Sequence, residues 1–328
     1  MEPLVSVVIP SYRRSVLVKR AVQSAFGQTL NQIEVIVVID GPDEATRLAL
    51  GEINDPRLTV IELPTNQGVC AARNAGIAVA RAKWVAHLDD DDEWMPQKLE
   101  LQLEAVRHSQ YALPIASCYL VALSPKGDSI WPRRPPTQSE PLSEYLFVRN
   151  TLFQGEGLLQ GSTILTAKEL LQKVPYRSGS NKHDDWDWML RAITLEGVGV
   201  EFVPEVLSIW YLDDKRQSLS STHDWQYSLN WIQANRNLVT RRAYSSFILT
   251  EVSSRAAHKR EWKAFWQLLW EAIRQGAPKP VDLGLYFGMW LIPPDTRRWL
   301  RTLLTRKPRA LPFQSPVGIN TKLPPLHR

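Results

Sequence analysis

Four consecutive carboxylates, Asp89-Asp90-Asp91-Asp92, follow directly on the apolar run Trp84 to Leu88, and Glu93 comes next. Like charges at such spacing repel one another, and at the end of a buried strand they are costly unless a cation neutralises them. Hard divalent ions take oxygen ligands, and Mg²⁺ or Mn²⁺ held by one or two carboxylates commonly reaches on to substrate phosphates. The same run would equally serve as an acidic turn ahead of a helix starting near Pro96, where negative charge meets the positive end of the helix dipole. A second acidic group, His183-Asp184-Asp185-Trp186-Asp187, opens a helix-like stretch that ends at Arg191. A carboxylate placed there can take a hydroxyl proton as the oxygen attacks, or it can simply cap the helix.

Two smaller groups accompany these. Asp40-Gly41 ends the β-branched run Glu34 to Ile39. A strand-end carboxylate can accept hydrogen bonds from a base or ribose, although Asp-Gly is also a common turn. Asn66-Gln67-Gly68 leads into Val69 to Asn74. Gly68 would let a ligand approach the backbone closely, and Arg73 and Asn74, one turn into the helix, could support the acidic site.

The elements that must position these residues alternate in type. Strand-like runs at 4–9, 34–39, 58–63 and 83–88 are separated by helical patterns at 15–27, 43–53 and 69–81. Pro10 is expected to stop the first strand. Strand–helix alternation implies parallel strands with helices on both faces, and ligands of such sheets bind at the carboxyl ends of the strands. Those ends carry Pro10-Ser11-Tyr12-Arg13, Asp40-Gly41, Asn66-Gln67-Gly68 and the acidic run. Residues 124–141, rich in Pro, Ser, Arg and Gly, read as a loop. From Trp225 the pattern is helical, with Trp262, Phe265, Trp266, Leu269, Trp270 and Ile273 forming an amphipathic stripe. There is no internal repeat.

The chain has 328 residues, 44% apolar and 22% charged, enough for a full core. Two cysteines, Cys70 and Cys118, make a disulfide framework unexpected and suit a reducing setting. No secretion signal is expected at the N-terminus, and no apolar run reaches the length of a membrane span. The net charge of +5 is unevenly spread: residues 225–328 carry 17 Lys/Arg against 5 Asp/Glu, and residues 1–224 carry 22 against 29. The acidic part suits metal or polar-substrate chemistry. The basic part, which holds seven of the thirteen Trp, suits an anionic membrane surface better than nucleic acid, since no base-reading motif accompanies it. The bland alternative is a solvated helical tail whose aromatics form an ordinary core.

Together the motifs VSVVIPSYRR (5–14), EVIVVIDG (34–41), NQGVCAARNAGI (66–77), WVAHLDDDDEWMPQKL (84–99), GSTIL (161–165) and DDWDWMLR (184–191) resemble, in order and spacing, the family 2 glycosyltransferases. The resemblance spans about residues 4–215. It implies a GT-A nucleotide-diphospho-sugar transferase fold of α/β class: a central, mostly parallel sheet flanked by helices, here with a C-terminal helical extension. It implies a nucleotide pocket from Pro10, Ser11, Tyr12, Arg13 and Asp40, and donor contacts from Gly68, Arg73, Asp89 and Asp90. Asp89 and Asp91 become the outer members of the family's Asp-x-Asp, with Asp91 the direct ligand of Mn²⁺ or Mg²⁺. Asp185 falls on the position of the catalytic base, with Asp184 beside it. Gly161, Ser162 and Trp186 are expected on the acceptor side, although Trp186 and Trp188 suit a core equally well. The chain departs from the family in Arg13, where Asn is common, in the single carboxylate Asp40, where two are common, and in Asp184, where Glu is usual. A third metal ligand could be Asp213, His223 or neither.

These readings give a catalytic domain over 1–222, a basic Trp-rich extension over 223–310 and a disordered tail over 311–328. The expected reaction is inverting transfer of a sugar from a nucleotide-diphospho-sugar to the hydroxyl of a glycan or lipid-linked acceptor, in the cytoplasm or peripherally on the inner membrane face. An interfacial pattern of Arg297, Arg298 and Arg301 around Trp299, Leu300, Leu303 and Leu304 points the same way. No nucleic-acid partner is expected. A nicotinamide oxidoreductase would need Gly-x-Gly-x-x-Gly after Ile9, and a sugar-nucleotide pyrophosphorylase a Gly-rich loop there; Pro-Ser-Tyr-Arg-Arg stands in that place. A sugar-nucleotide-binding protein without transferase activity would leave the two acidic groups without a purpose.

Overall fold

Runs of β-branched residues make the central strands. In the computed structural model, which describes residues 2–125, 127–151, 155–179, 182–212, 225–293 and 296–297, a nine-stranded mixed sheet forms the centre. Strands β1 (Val5–Ser11), β2 (Ile33–Ile39), β3 (Leu58–Glu62) and β4 (Trp84–His87) pair in parallel in the order β3-β2-β1-β4. Beyond β4 the sheet continues through β8 (Leu165–Ala167), β6 (Leu113–Leu123), β9 (Val198–Tyr211) and β5 (Glu93–Trp94), and β7 (Ser129–Trp131) pairs with β6. Both β4 and β6 run antiparallel to β8.

Alternate side chains of β1 and β2 enter two cores. Val5, Val7, Ile9, Val35 and Val37 pack with α1 (Ser15–Phe26), α2 (Glu44–Gly51) and α4 (Lys98–Arg107). Val8, Ile36 and Val38 pack with α3 (Val69–Val79), α5 (Leu142–Phe147), α6 (Lys168–Lys173) and α7 (Asp184–Ala192). This two-sided burial is why the strands read as continuous apolar runs.

Three expectations are corrected here. Pro10 does not stop β1, which runs on to Ser11. The Leu88 amide donates to the Val8 carbonyl and the Asp40 amide to the Ser11 carbonyl, so even residues turn toward β4 and odd ones toward β2. β4 ends at His87, so the amide hydrogen that Pro10 lacks has no partner to serve. Pro96 is not in the first turn of the helix, which begins at Lys98 after Glu93 and Trp94 have paired as β5 with β9. The loop expected over 124–141 contains β7.

The C-terminal helices are α8 (Trp225–Ala234), α9 (Arg241–Phe247), a π turn (Ile248–Val252), α10 (Ser253–His258), α11 (Trp262–Gln275) and α12 (Pro280–Leu291). They form a third core that includes Phe147 and Val148 at the end of α5 and Leu190 of α7, so the extension packs against the sheet-bearing part. The stripe expected on α11 divides. Ala264, Phe265, Leu268 and Ala272 face inward, and Trp262, Trp266, Trp270 and Ile273 face out. No helix of the described residues is long and apolar enough to cross a membrane. Asp213, His223, Arg298, Trp299, Leu300, Arg301, Leu303, Leu304 and the tail over 311–328 lie outside the described residues.

Candidate active site

Parallel pairing puts the ends of β1, β2 and β4 on one rim, and the acidic run turns off β4 there. Its four carboxylates point to different partners. Asp89 accepts from Arg73 Nη2 at 2.8 Å. Asp90 accepts from Ser11 Oγ and from Arg14 Nη1, each at 2.8 Å, and Asp91 accepts from Arg14 Nη1 at 2.8 Å. Burial pushes the Asp90 carboxyl up to about 6, with the Arg14 charge pulling the other way and Asp91 adding to the rise. Asp92 turns inward, accepting from Ser162 Oγ and Gln160 Nε2 at 2.7 Å each. Burial, then the charges of Asp89 and Asp91, hold its carboxyl well above the usual range. Its Oδ1 is buried with no partner among the described residues.

The second acidic group meets the first through one side chain. Arg73, fully buried on α3, gives Nη1 to Asp184 at 2.5 Å and to Asp185 at 2.9 Å while Nη2 holds Asp89. The Tyr176 ring lies against its guanidinium, 5.2 Å from centroid to Cζ. Asp185 also accepts from the Gly161 amide at 2.8 Å. A Cβ on Gly161 would stand 2.9 Å from Arg73 Nη2 and 3.1 Å from each Asp185 oxygen, so only glycine leaves this junction intact. Burial pushes the Asp185 carboxyl up to about 7; Arg73 and the Gly161 amide pull it down, and the charges of Asp184 and Asp89 push it up. Asp187, the third acid of that first turn, is instead bound by Arg177 at 3.0 Å and Arg191 at 2.8 Å.

The residues expected at the site are therefore only partly gathered. Arg73, Asp89, Asp184, Asp185 and Gly161 form one cluster, and Ser11, Asp90 and Asp91 form another beside it. Tyr12 is exposed on the rim with the Arg13 guanidinium 5.1 Å from its ring centroid. The arginine that reaches the acids is Arg14, not Arg13, which adopts φ 55° and donates its amide to Asp43. Asp40 is buried and accepts from the amides of Gln67 (2.7 Å) and Gly68 (2.9 Å), so its carboxylate shapes the loop ahead of α3. Gly68 makes that turn at φ 89°.

Of the residues expected on the acceptor side, Ser162 is fully buried and donates to Asp92 while accepting from the Asp89 amide at 3.0 Å, so it braces the acidic loop. Trp186 is stacked on His183, with centroids 4.9 Å apart, between the second and third cores. Trp188 is core, donating Nε1 to the Val174 carbonyl. Trp188 presents no free face, and Trp186, which is half-buried, has one face covered by His183.

Residues missed in the sequence also take part. Gln160 spans Asp92 and Asp89 and caps the 3₁₀ turn at Gly161. Arg20 donates to the Asp91 carbonyl at 2.8 Å and pairs with Glu93, whose other partner is the Tyr211 hydroxyl. Only Arg14 had a local signal, as the last residue before the helix at Ser15.

The donor set is one of hard carboxylate oxygens, with Asp89 and Asp91 the partly exposed members. Among the described residues no group of three or more His, Cys, Asp or Glu converges as a metal cage. Two carboxylates fit an ion that completes its shell with diphosphate oxygens, and the cation now bridging Asp90 and Asp91 is the Arg14 guanidinium.

A family model described as glycosyl transferase family 2 matches residues 6–174, just over half of the chain. The chain belongs to this family. Family 2 enzymes are glycosyltransferases, and they generally use a divalent metal. Among similar proteins is WcaA of Escherichia coli (strain K12), provisionally assigned as a colanic acid biosynthesis glycosyl transferase. It is 26% identical over 288 residues, covering 84% of this chain and 95% of WcaA. The amylovoran biosynthesis glycosyltransferase AmsB of Erwinia amylovora is 26% identical over 245 residues, covering 72% of this chain and 79% of AmsB. The crystal structure of S. aureus TarS 1–349 shares the fold at a TM-score of 0.51 and 15% identity, covering 91% of this chain and 92% of that one. TarS 1–349 in complex with UDP-GlcNAc gives 0.50 at 17% identity, covering 84% and 72%.

Proposed function

We propose that this chain transfers a sugar from a nucleotide-diphospho-sugar to an acceptor hydroxyl, with inversion at the anomeric carbon and Asp185 as the base, in the synthesis of a polysaccharide or glycolipid. The observation that carries this reading is the convergence of Asp89, from the end of β4, with Asp184 and Asp185, from the start of α7, on the single guanidinium of Arg73. The names of WcaA and AmsB support a polysaccharide product, and the UDP-GlcNAc complex of TarS supports a sugar nucleotide as donor.

The donor's nucleoside lies at the rim formed by Ser11, Tyr12 and the 66–68 loop. Arg14, half-buried between Asp90 and Asp91, offers a cation to the diphosphate. Asp91 and Asp89 would hold Mn²⁺ or Mg²⁺ together with the diphosphate, and that ion would neutralise negative charge on the leaving group. Asp185 takes the proton of the acceptor hydroxyl. The freed electron pair forms the new bond to the anomeric carbon as the bond from that carbon to the phosphate oxygen breaks, and the diphosphate leaves with its electrons on the opposite face. A carboxyl that titrates near 7 is suited to this, being ionised in half or more of the molecules at neutral pH while remaining basic enough to accept. Arg73 and the Gly161 amide fix the direction of that carboxylate. The acceptor is a glycan or lipid-linked glycan, and the enzyme works in the cytoplasm, peripheral to the inner membrane face.

Thermal shift across a panel of nucleotide sugars, with and without Mn²⁺, tests the donor and metal assignments. One donor is expected to stabilise the protein, more so with Mn²⁺; no response to any sugar nucleotide would overturn the reading. Transfer with the identified donor should then give a product of inverted anomeric configuration, and a retained configuration would remove Asp185 as the base.

A further inference from the structure

Helix α11 has two apolar faces, and the described residues cover only one. Its inner face, Ala264, Phe265, Leu268 and Ala272, lies in the third core. On the outer face Trp262 is 53% exposed, Trp266 71%, Trp270 64% and Ile273 50%. At about 100° per residue these four side chains fall within about 80° of one another around the helix axis. The next strip around the helix carries Lys263 and Arg274, both exposed, and His258, Lys259 and Arg260 stand exposed just before the helix. Helix α12 extends the patch. Phe287 lies beside Phe265, with ring centroids 6.0 Å apart, Phe265 is 4.9 Å from Trp266, and Leu291 is 63% exposed one turn beyond Phe287.

The carboxylates at this surface are turned away from it. Glu261 accepts from Trp225 Nε1 at 2.6 Å, and Glu271 accepts from the Tyr244 hydroxyl at 2.5 Å and from Gln233 Nε2 at 3.2 Å. What α11 presents outward is therefore indole and aliphatic surface edged by positive charge. Indoles have an apolar body and a polar N–H, and they favour the boundary between headgroups and acyl chains. Basic residues beside them are attracted to anionic headgroups. A helix lying in a bilayer surface has this distribution, apolar on one arc with Lys and Arg at its edge.

We propose that the outer face of α11, extended by Phe287 and Leu291 of α12, docks on an anionic lipid bilayer, with Trp262, Trp266 and Trp270 entering the headgroup layer and Lys263 and Arg274 pairing with lipid phosphates. The proposal gives a surface to the peripheral attachment in the functional reading above, and it rests on that reading only for its purpose. Helix α8, packed in the same third core, meets the residues just before α7: Lys182 Nζ and His183 Nε2 each lie 2.9 Å from Ser228 Oγ. Docking would thus hold the segment that bears Asp184 and Asp185 at a fixed relation to the membrane.

Flotation of the full chain with vesicles of phosphatidylglycerol and phosphatidylcholine, against vesicles of phosphatidylcholine alone, tests the surface. The wild-type chain should float with the anionic vesicles and be released by high salt. Trp266→Ser combined with Trp270→Ser should lower partitioning about tenfold or more with an unchanged melting temperature, since both side chains are mostly in solvent. Lys263→Glu and Arg274→Glu should each lower it about fivefold. Sedimentation of the same proteins without lipid covers the other occupants. A wild-type dimer that the Trp variants dissolve would assign the face to a second copy of this chain and overturn the proposal. So would a wild-type chain that ignores anionic vesicles, or Trp variants that float as well as wild type. Donor-dependent transfer to a soluble acceptor, measured on the same proteins, separates the two readings. Transfer retained without flotation removes only the docking face, and flotation without transfer removes only the enzymatic assignment.

Discussion

Arg73 and Arg14 each gather carboxylates from the same acidic loop, but in opposite settings. The Arg73 side chain is 2% exposed and holds Asp89, Asp184 and Asp185; that of Arg14 is 27% exposed and holds Asp90 and Asp91. A buried guanidinium with three acidic partners cannot leave without stranding charge, so the first cluster is a fixed frame. A guanidinium at the rim can trade its carboxylates for a diphosphate at small cost, so the second is a place where ligands exchange. The proposed base Asp185 belongs to the frame, the proposed metal ligand Asp91 to the exchanging half, and Asp89, the second proposed ligand, stands where the two meet. Catalysis by positioning needs this division, since the base must be held while the donor comes and goes.

The sharpest test separates the two by function. Asp185→Asn should lower the transfer rate by about 10²–10⁴-fold, the range for loss of a general base, and leave donor affinity unchanged. Asp91→Ala should do the reverse at low donor concentration, removing the part of donor affinity that depends on Mn²⁺ in a metal titration. If both variants lost rate and affinity together, the two clusters would act as one and the comparison would fail.

Stability should divide in the same way. Arg73→Met leaves three carboxylates facing one another and should cost about 3–5 kcal/mol in denaturant unfolding, as for other broken buried pairs. Arg14→Ala leaves the buried Asp90 with Ser11 as its hydrogen-bond donor and should cost about 1–3 kcal/mol, less than Arg73→Met, while weakening donor binding. Gly161→Ala comes next. Its Cβ would press on Arg73 and Asp185 within 3.1 Å, and an overpacked contact of this kind costs about 1–3 kcal/mol. Its transfer rate should fall with donor affinity retained, because the disturbed carboxylate is the proposed base.

Much of the frame could be read from the sequence. Apolar runs marked β1 to β4, the acidic run after β4 marked the rim, and the paired acids at 184–185 marked the start of α7. What the sequence withheld were contacts across long separations. Arg73 meets Asp184 across 111 positions, and no local pattern in either segment signals it. Ser162 was expected on the acceptor side from the resemblance, and its bond to Asp92 across 70 positions had no local signal. Arg13 and Arg14 are identical in type, and the choice between them depends on a backbone turn at φ 55°. The α11 stripe named the apolar positions but not which of them pack. A helix with apolar residues on most sides offers two possible inner faces, and the one that packs includes the small residues Ala264 and Ala272.

The smallest effect is also the most specific to the Arg73 side. The Asp185 carboxyl is raised to about 7 from the ordinary aspartate value, so it gains its proton earlier than usual as pH falls. A protonated acid cannot take the acceptor's proton. Transfer at saturating donor should therefore rise through pH 7 and level off above it, with about a tenfold difference between pH 6 and pH 8. Asp184 contributes to the rise through its negative charge, so Asp184→Asn should move the midpoint to lower pH. The same change at Asp90, whose charge lies with Arg14 and is not among the main influences on Asp185, should leave the midpoint in place. A midpoint that followed Asp90 and ignored Asp184 would put the titrating group in the exchanging cluster, and the base with it.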